Sequence, residues 1–257
     1  MKRRTMLYFG SFNPVHRGHV SLAEHVIDRG LCDTVVLVVS PQNPLKEQSS
    51  LLPEMVRFEM AEAACRESAY PERIMPSAVE FLLEKPSYTI NTLRFLEENN
   101  GRDMEFSILM GADNIATFHK WREAETILDN YDIWVYPRTG FDFCRLSPRV
   151  HLLEDAPMFD CSSTAIRDGL RNGRDVSQWL AVGVADYIRK NGLFTKSDEL
   201  LGLKAEGVEH YKRNEWGKAL NAFRNALRIN PDDTEAGEYV KMIEEILAFR
   251  YTDIYNP

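Results

Sequence analysis

Thr34-Val35-Val36-Leu37-Val38-Val39 is an unbroken apolar and β-branched run. A strand with one wetted face alternates apolar and polar residues. A run without alternation belongs to a strand covered on both faces, as in a parallel sheet. Met6-Leu7-Tyr8-Phe9, Phe106-Ser107-Ile108-Leu109-Met110 and Asp132-Ile133-Trp134-Val135-Tyr136 read as further strands, with weaker signals near Arg73 to Met75 and Val150 to Leu153. Helical patterns lie near 53–68, 89–99, 121–130, 163–172 and 177–191. Another begins around His19, with Val20, Leu22, Ala23, Val26 and Ile27 apolar. This alternation predicts an α/β fold, a doubly wound parallel sheet. Ligands of such sheets bind beyond the strand carboxyl ends, at a topological switch point. Gly10-Ser11, Ser40-Pro41, Gly111-Ala112-Asp113 and Pro137-Arg138 each follow a predicted strand and are expected to line one crevice.

Gly10-Ser11-Phe12-Asn13-Pro14-Val15-His16-Arg17-Gly18-His19 joins the first strand to the first helix. Exposed N–H groups and the helix dipole make such a junction a phosphate site. Two histidines three residues apart are expected to face solvent on one side of the turn and to reach the same phosphate. The plainer alternative is an ordinary loop with two surface histidines; the whole constellation argues against it.

His16-Arg17-Gly18-His19 resembles the HxGH signature of the nucleotidylyltransferase superfamily. Downstream, Cys161-Ser162-Ser163-Thr164-Ala165-Ile166-Arg167 resembles its ISxTxxR motif. Two motifs in the right order are far more specific than either alone. Between them, Ser87-Tyr88-Thr89 with Thr92-Leu93, Met110-Gly111-Ala112-Asp113-Asn114 and Phe118-His119-Lys120-Trp121 resemble bacterial nicotinate-nucleotide adenylyltransferases. The resemblance covers roughly residues 4 to 195 and implies a Rossmann-like catalytic domain over 1–195. It implies transfer of AMP from ATP, with Mg2+, to nicotinate mononucleotide. The alternatives are a related transferase acting on nicotinamide mononucleotide or phosphopantetheine, or a non-catalytic nucleotide-binding scaffold. Phosphopantetheine enzymes usually carry TxGH, and His16 counts against that branch.

The resemblance also implies roles. His16 and His19 would be catalytic, bonding the α-phosphate and bridging oxygens. Gly10, Ser11, Phe12, Gly111, Asp113, Ser162, Thr164 and Arg167 would bind ATP with them, Asp113 through the ribose. Lys46, Thr89, Trp121 and Arg138 would bind the acceptor, Trp121 by stacking on the pyridine ring; Lys46 and Arg138 are also candidates for the ATP phosphates. Each has a plainer alternative: an N-cap for Ser162 or Asp113, a solvated cation for Arg167, a surface ion pair for Lys46 and Arg138, core packing for Trp121. The chain departs from the family at Leu45, where a third phosphate-facing histidine is expected.

The net charge of −8 offers nucleic acid no basic block. Cys32, Cys65, Cys144 and Cys161 show no metal-ligand spacing and read as thiols of a reducing compartment. Lys2-Arg3-Arg4 is followed by too short an apolar run for a secretory leader, and no run approaches membrane-spanning length. The expectation is a soluble cytoplasmic protein with small-molecule substrates, no nucleic-acid partner and no membrane partner.

Composition shifts after Thr195-Lys196-Ser197-Asp198. Gly207, Tyr211, Trp216, Ala219, Phe223, Ala226 and Pro231 resemble one tetratricopeptide repeat, with Leu203 and Glu206 as departures. A third helix is expected over about Thr234 to Phe249. The reading is a small all-α, tetratricopeptide-like extension over 196–257, a helical hairpin whose apolar face needs cover from the catalytic domain, a second copy or a protein partner. The aromatic-rich end, Phe249 to Pro257, is expected to pack back rather than stay solvated.

Overall fold

A computed structural model describes residues 2–41, 51–143 and 145–255. Leu45, Lys46 and Cys144 lie outside the described residues, as do the side chains from Phe249 onward. The described residues divide into a first unit that runs to Lys190, Leu51 excepted, and a second made of Leu51 and the residues from Asn191 onward.

The first unit is built on six strands: β1 (Arg3–Gly10), β2 (Thr34–Val39), β3 (Ile74–Ser77), β4 (Met104–Gly111), β5 (Asp132–Tyr136) and β6 (Val150–Leu152). They form one parallel sheet in the order β3-β2-β1-β4-β5-β6. Leu7 pairs with Val36 on one side and Ile108 on the other, which makes β1 the centre. The chain moves outward from β1 through β2 and β3, returns to β4, and moves outward again. The switch point therefore lies between the carboxyl ends of β1 and β4. Val35, Leu37, Val38 and Val39 are all fully covered, as the unbroken apolar run requires.

Among the described residues seven α-helices flank this sheet: α1 (Arg17–Asp28), α2 (Glu54–Arg66), α3 (Thr89–Asn100), the short α4 (Ala112–Ile115), α5 (Ala124–Asn130), α6 (Ser163–Arg171) and α7 (Val182–Asn191). Ile90 and Leu93 of α3 pack with Ile108, Ile133 and Val135 of the sheet in one core cluster. Each such side chain contributes about 1.5–3 kcal/mol when fully covered.

Two helices start later than their periodicity predicts. The pattern over 121–130 gives a helix only from Ala124, as α5, with a 3-10 turn at Phe118–Lys120 ahead of it. Glu123 takes a left-handed conformation, φ 53, and is gripped by Arg94 at 2.6 and 2.9 Å. That backbone cannot continue a helix. The pattern over 177–191 gives a 3-10 turn at Ser177–Trp179 before α7. The Glu67 carboxylate accepts the Val182 and Gly183 N–H groups at 2.8 and 2.5 Å, and this distant cap sets where α7 begins.

The second unit holds α8 (Lys196–Lys212), α9 (Trp216–Ile229) and α10 (Thr234–Tyr255). Ala219, Phe223, Ala226, Ala236 and Ile243 are its buried core. A Cβ at Gly207 would meet the Phe223 ring at 2.7 Å, so α8 and α9 approach as closely as they do because the residue is glycine. Phe223 stacks on Tyr239 of α10 at 4.4 Å. α10 runs further than the expected end near Phe249.

Candidate active site

Residues 11–16 make the turn between β1 and α1. Phe12 sits at φ 47, in the left-handed region, and is 2% exposed. Its ring lies edge-on to Tyr8 at 5.7 Å and to His19 at 5.1 Å. A Cβ on Gly10 would come within 2.8 Å of that ring. Glycine is therefore what allows Phe12 to fold back beneath the strand end.

His16 takes the extended conformation just before α1. Its backbone N–H donates to Nδ1 of His19 at 3.1 Å. Nδ1 is occupied as an acceptor, so neutral His19 carries its proton on Nε2. The two rings lie 3.7 Å apart, centroid to centroid. The expectation that both face solvent needs correction: His19 is half-buried, but His16 is only 7% exposed. The second motif covers it, with Cys161 Sγ 3.7 Å from His16 Nδ1.

Burial first, and the Arg138 charge second, push His16 down to about 4. It is neutral at physiological pH and acts there as a hydrogen-bonding group, not a cation. Between about pH 6.5 and 4 the unfolded chain binds a proton at His16 that the folded chain does not. Stability therefore falls as pH falls through that window, by about 3 kcal/mol from this group. Urea unfolding from pH 7 to pH 4 is expected to show a shallower loss in His16→Asn than in the unaltered protein. Parallel pH curves would contradict it.

The second motif meets the first through α6. Ser163 Oγ donates to the Pro14 carbonyl at 2.9 Å, and Arg167 Nη1 donates to the Asn13 carbonyl at 2.8 Å. Arg167 Nη2 also donates to Thr164 Oγ1 at 3.2 Å. Ser162 is the N-cap of α6: its Oγ accepts the Ala165 N–H at 3.1 Å, and its hydroxyl proton remains able to donate.

Two cavities open at the strand ends, where the sequence suggests one crevice. The smaller, about 250 Å³, is lined by Tyr8, His16, His19, Asp113, Arg138 and Cys161 among others. The larger, about 540 Å³, is lined by Ser11, Ser40, Glu80, Thr89, Asp113 and Trp121 among others. Asp113 borders both. Gly10 lines the larger cavity, while Phe12, Gly111, Ser162, Thr164 and Arg167 lie outside both linings. Gly111 stands just before α4 and leaves the space that the Asp113 carboxylate fills.

Arg138, a candidate for the mononucleotide phosphate or the ATP phosphates, lines the histidine cavity. Its Nε is 3.5 Å from Asp113 Oδ1, and its Nη2 is 3.4 Å from the Tyr136 hydroxyl. Tyr136 in turn shares a 2.9 Å hydrogen bond with Tyr8 across β4. Burial holds the Tyr8 phenol well above its ordinary range, so it stays protonated.

Trp121 stacks on Phe118 at 4.8 Å while lining the larger cavity. Thr89 is the first residue of α3. Beneath them Glu80, 2% exposed, accepts the hydroxyls of Ser87 at 2.8 Å and Thr92 at 2.9 Å, and that of Ser40 as well. Burial pushes its carboxyl up. Tyr8, Tyr136 and Glu80 escaped the sequence reading. A tyrosine inside an apolar run and a glutamate among loop residues carry no local signal, because their partners come from other segments.

Residues 7–169 match the cytidylyltransferase-like family. A Flavobacterium johnsoniae protein named "Probable nicotinate-nucleotide adenylyltransferase" is 40% identical over 194 residues, covering 74% of this chain and 98% of its own length. One of the same name from Bacteroides thetaiotaomicron is 40% identical over 190 residues, covering 74% and 92%. In fold, the chain is similar to Plasmodium falciparum nicotinic acid mononucleotide adenylyltransferase complexed with NaAD: TM-score 0.64, 18% identity, 75% of this chain and 97% of that one. Among the described residues no helix is long and apolar enough to cross a membrane.

Proposed function

The chain belongs to the cytidylyltransferase-like family, and we propose that it performs the reaction its relatives are named for. It transfers AMP from ATP to nicotinate mononucleotide, giving nicotinate adenine dinucleotide and pyrophosphate. The observation that carries this reading is the pair of cavities meeting at Asp113, with the stacked histidines in one and Thr89 and Trp121 in the other.

An oxygen of the acceptor phosphate forms a bond to the α-phosphorus while the bond to the bridging α,β-oxygen breaks. The acceptor phosphate is already ionised at neutral pH, so no strong base is required. What the protein supplies is position and charge stabilisation. His19, with its proton on Nε2, donates to the transferring phosphate. His16 holds that tautomer through its N–H and lines the same cavity. Arg167, Thr164 and the Ser162 hydroxyl at the head of α6 suit the outer phosphates. Asp113 suits ribose hydroxyls, and Arg138, in the histidine cavity, suits the ATP phosphates. Thr89 at the head of α3 and the Trp121 ring suit the pyridine carboxylate and ring. Lys46 keeps its role as a phosphate cation as a matter of sequence alone. Mg2+ enters on the triphosphate as part of the substrate.

The deciding assay follows pyrophosphate release from Mg·ATP with nicotinate mononucleotide, nicotinamide mononucleotide and phosphopantetheine in turn. Release with none of them would leave the nucleotide-binding scaffold as the better reading.

We assign catalysis to a domain over 1–195 and propose that 196–257 is a tetratricopeptide-like extension contacting a protein or a second copy. The relatives support this, because one of them is almost wholly covered by 74% of this chain. A chain ending at Thr195 is expected to keep kcat within about threefold of the full protein. Complete loss of activity in a folded, soluble truncation would place part of the active site in the extension.

A further inference from the structure

Arg57 of α2 is completely buried, and its guanidinium is spent on backbone. Nε donates to the Leu52 carbonyl at 2.8 Å. Nη1 donates to the carbonyls of Ser11 and Ser40, both at 2.7 Å, and Nη2 to that of Pro41 at 3.0 Å. Among the described residues it forms no ion pair. Burial lowers it only to about 10, so it remains a cation at neutral pH. A buried charge held chiefly by carbonyl dipoles, with the Glu54 charge as a further favourable influence, is an expensive way to stabilise a fold, and an apolar side chain would fill the space at less cost. What a rigid, planar fork provides that an apolar residue cannot is fixed orientation of the peptides it grips.

Those peptides are the ends of β1 and β2. In a trans peptide the carbonyl and the following N–H point in opposite directions. With the Ser11 carbonyl turned to the buried Arg57, the Phe12 N–H is turned away from it. Phe12 is also the non-glycine residue held at φ 47. Such a conformation persists only where the surroundings over-determine it. The same fork ties Ser40, whose N–H donates to the Gly10 carbonyl at 2.9 Å, so the two strand ends are locked to each other.

Resting on the adenylyl-transfer reading, we propose that Arg57 is a positioning residue: from beneath, it sets the Ser11–Phe12 peptide so that the Phe12 N–H faces the reacting phosphates. It touches no substrate. It acts through the carbonyls it holds.

Two measurements test this. In the unaltered protein, the Phe12 amide resonance is followed while pyrophosphate is titrated. It is expected to shift in step with the His19 ring signals; a Phe12 amide that stays put while His19 saturates overturns the proposal. In Arg57→Lys, which keeps the charge but loses the fork, kcat per folded molecule is expected to fall at least about tenfold, with the KM for nicotinate mononucleotide changed less than about twofold. The Phe12 shift with pyrophosphate is expected to shrink. A variant with a lower melting temperature but unaltered kcat would make Arg57 merely structural and also overturns it. Should Arg57→Lys fail to fold, the titration of the unaltered protein decides alone. An unaltered protein that binds pyrophosphate but transfers no AMP would sink the functional reading while leaving the Phe12 measurement to be judged by itself.

Discussion

Replacing His19 with Ala is expected to lower kcat at least about a hundredfold, on the scale of removing a main transition-state donor. The melting temperature should move little, because His19 is half-buried and keeps its helix position. His16→Ala is expected to lose as much activity but to destabilise as well. It removes a ring that is 7% exposed, stacked on His19 and covered by Cys161, and leaves space that the turn cannot easily refill. Steady-state kinetics with thermal unfolding separates the two effects. Near-normal kcat in both variants would defeat the assignment of this turn to the chemistry.

The acceptor is expected to be chosen by charge, with kcat/KM for nicotinate mononucleotide exceeding that for nicotinamide mononucleotide by about ten- to a hundredfold. A charge-assisted hydrogen bond is worth about 1.5–3 kcal/mol, which sets that range. The expected donors are N–H groups in the first turn of α3, beside Thr89, which no side chain caps and where the helix dipole favours an anion. Glu80 lies in the same cavity wall, and a bare carboxylate there would repel the substrate's. Its oxygens accept from Ser87, Thr92 and Ser40, which draws their charge away from the cavity. A higher kcat/KM for the amide would reverse this assignment.

β1, β2, β4 and β5 were legible because each holds a short apolar run closed by a turn, while β3 and β6, short and broken by polar residues or proline, gave weaker signals. The expected Thr34–Val39 strand has the observed bounds of β2, since a strand buried on both faces carries its own signature. Helix starts were less so. The αL conformation of Glu123 depends on Arg94, and the head of α7 on Glu67. Neither partner is near in sequence.

The same division runs through the site. Residue order alone determined the parallel α/β architecture and the strand-to-helix turn at residues 10–19, because periodicity and turn chemistry act over a few residues; His16-Arg17-Gly18-His19 and Cys161-Ser162-Ser163-Thr164-Ala165-Ile166-Arg167 were legible only through their resemblance to family motifs. The tertiary structure alone decided that His16 is buried and neutral, that Arg138 stands with the histidines, that Arg57 grips the Ser11 and Ser40 carbonyls, and that Glu80 stands in the wall of the larger cavity. Protonation and peptide orientation are set by whichever donor or charge folding brings close, and the Arg138 that faces His16 and the Arg57 that holds Ser11 come from segments far apart along the chain.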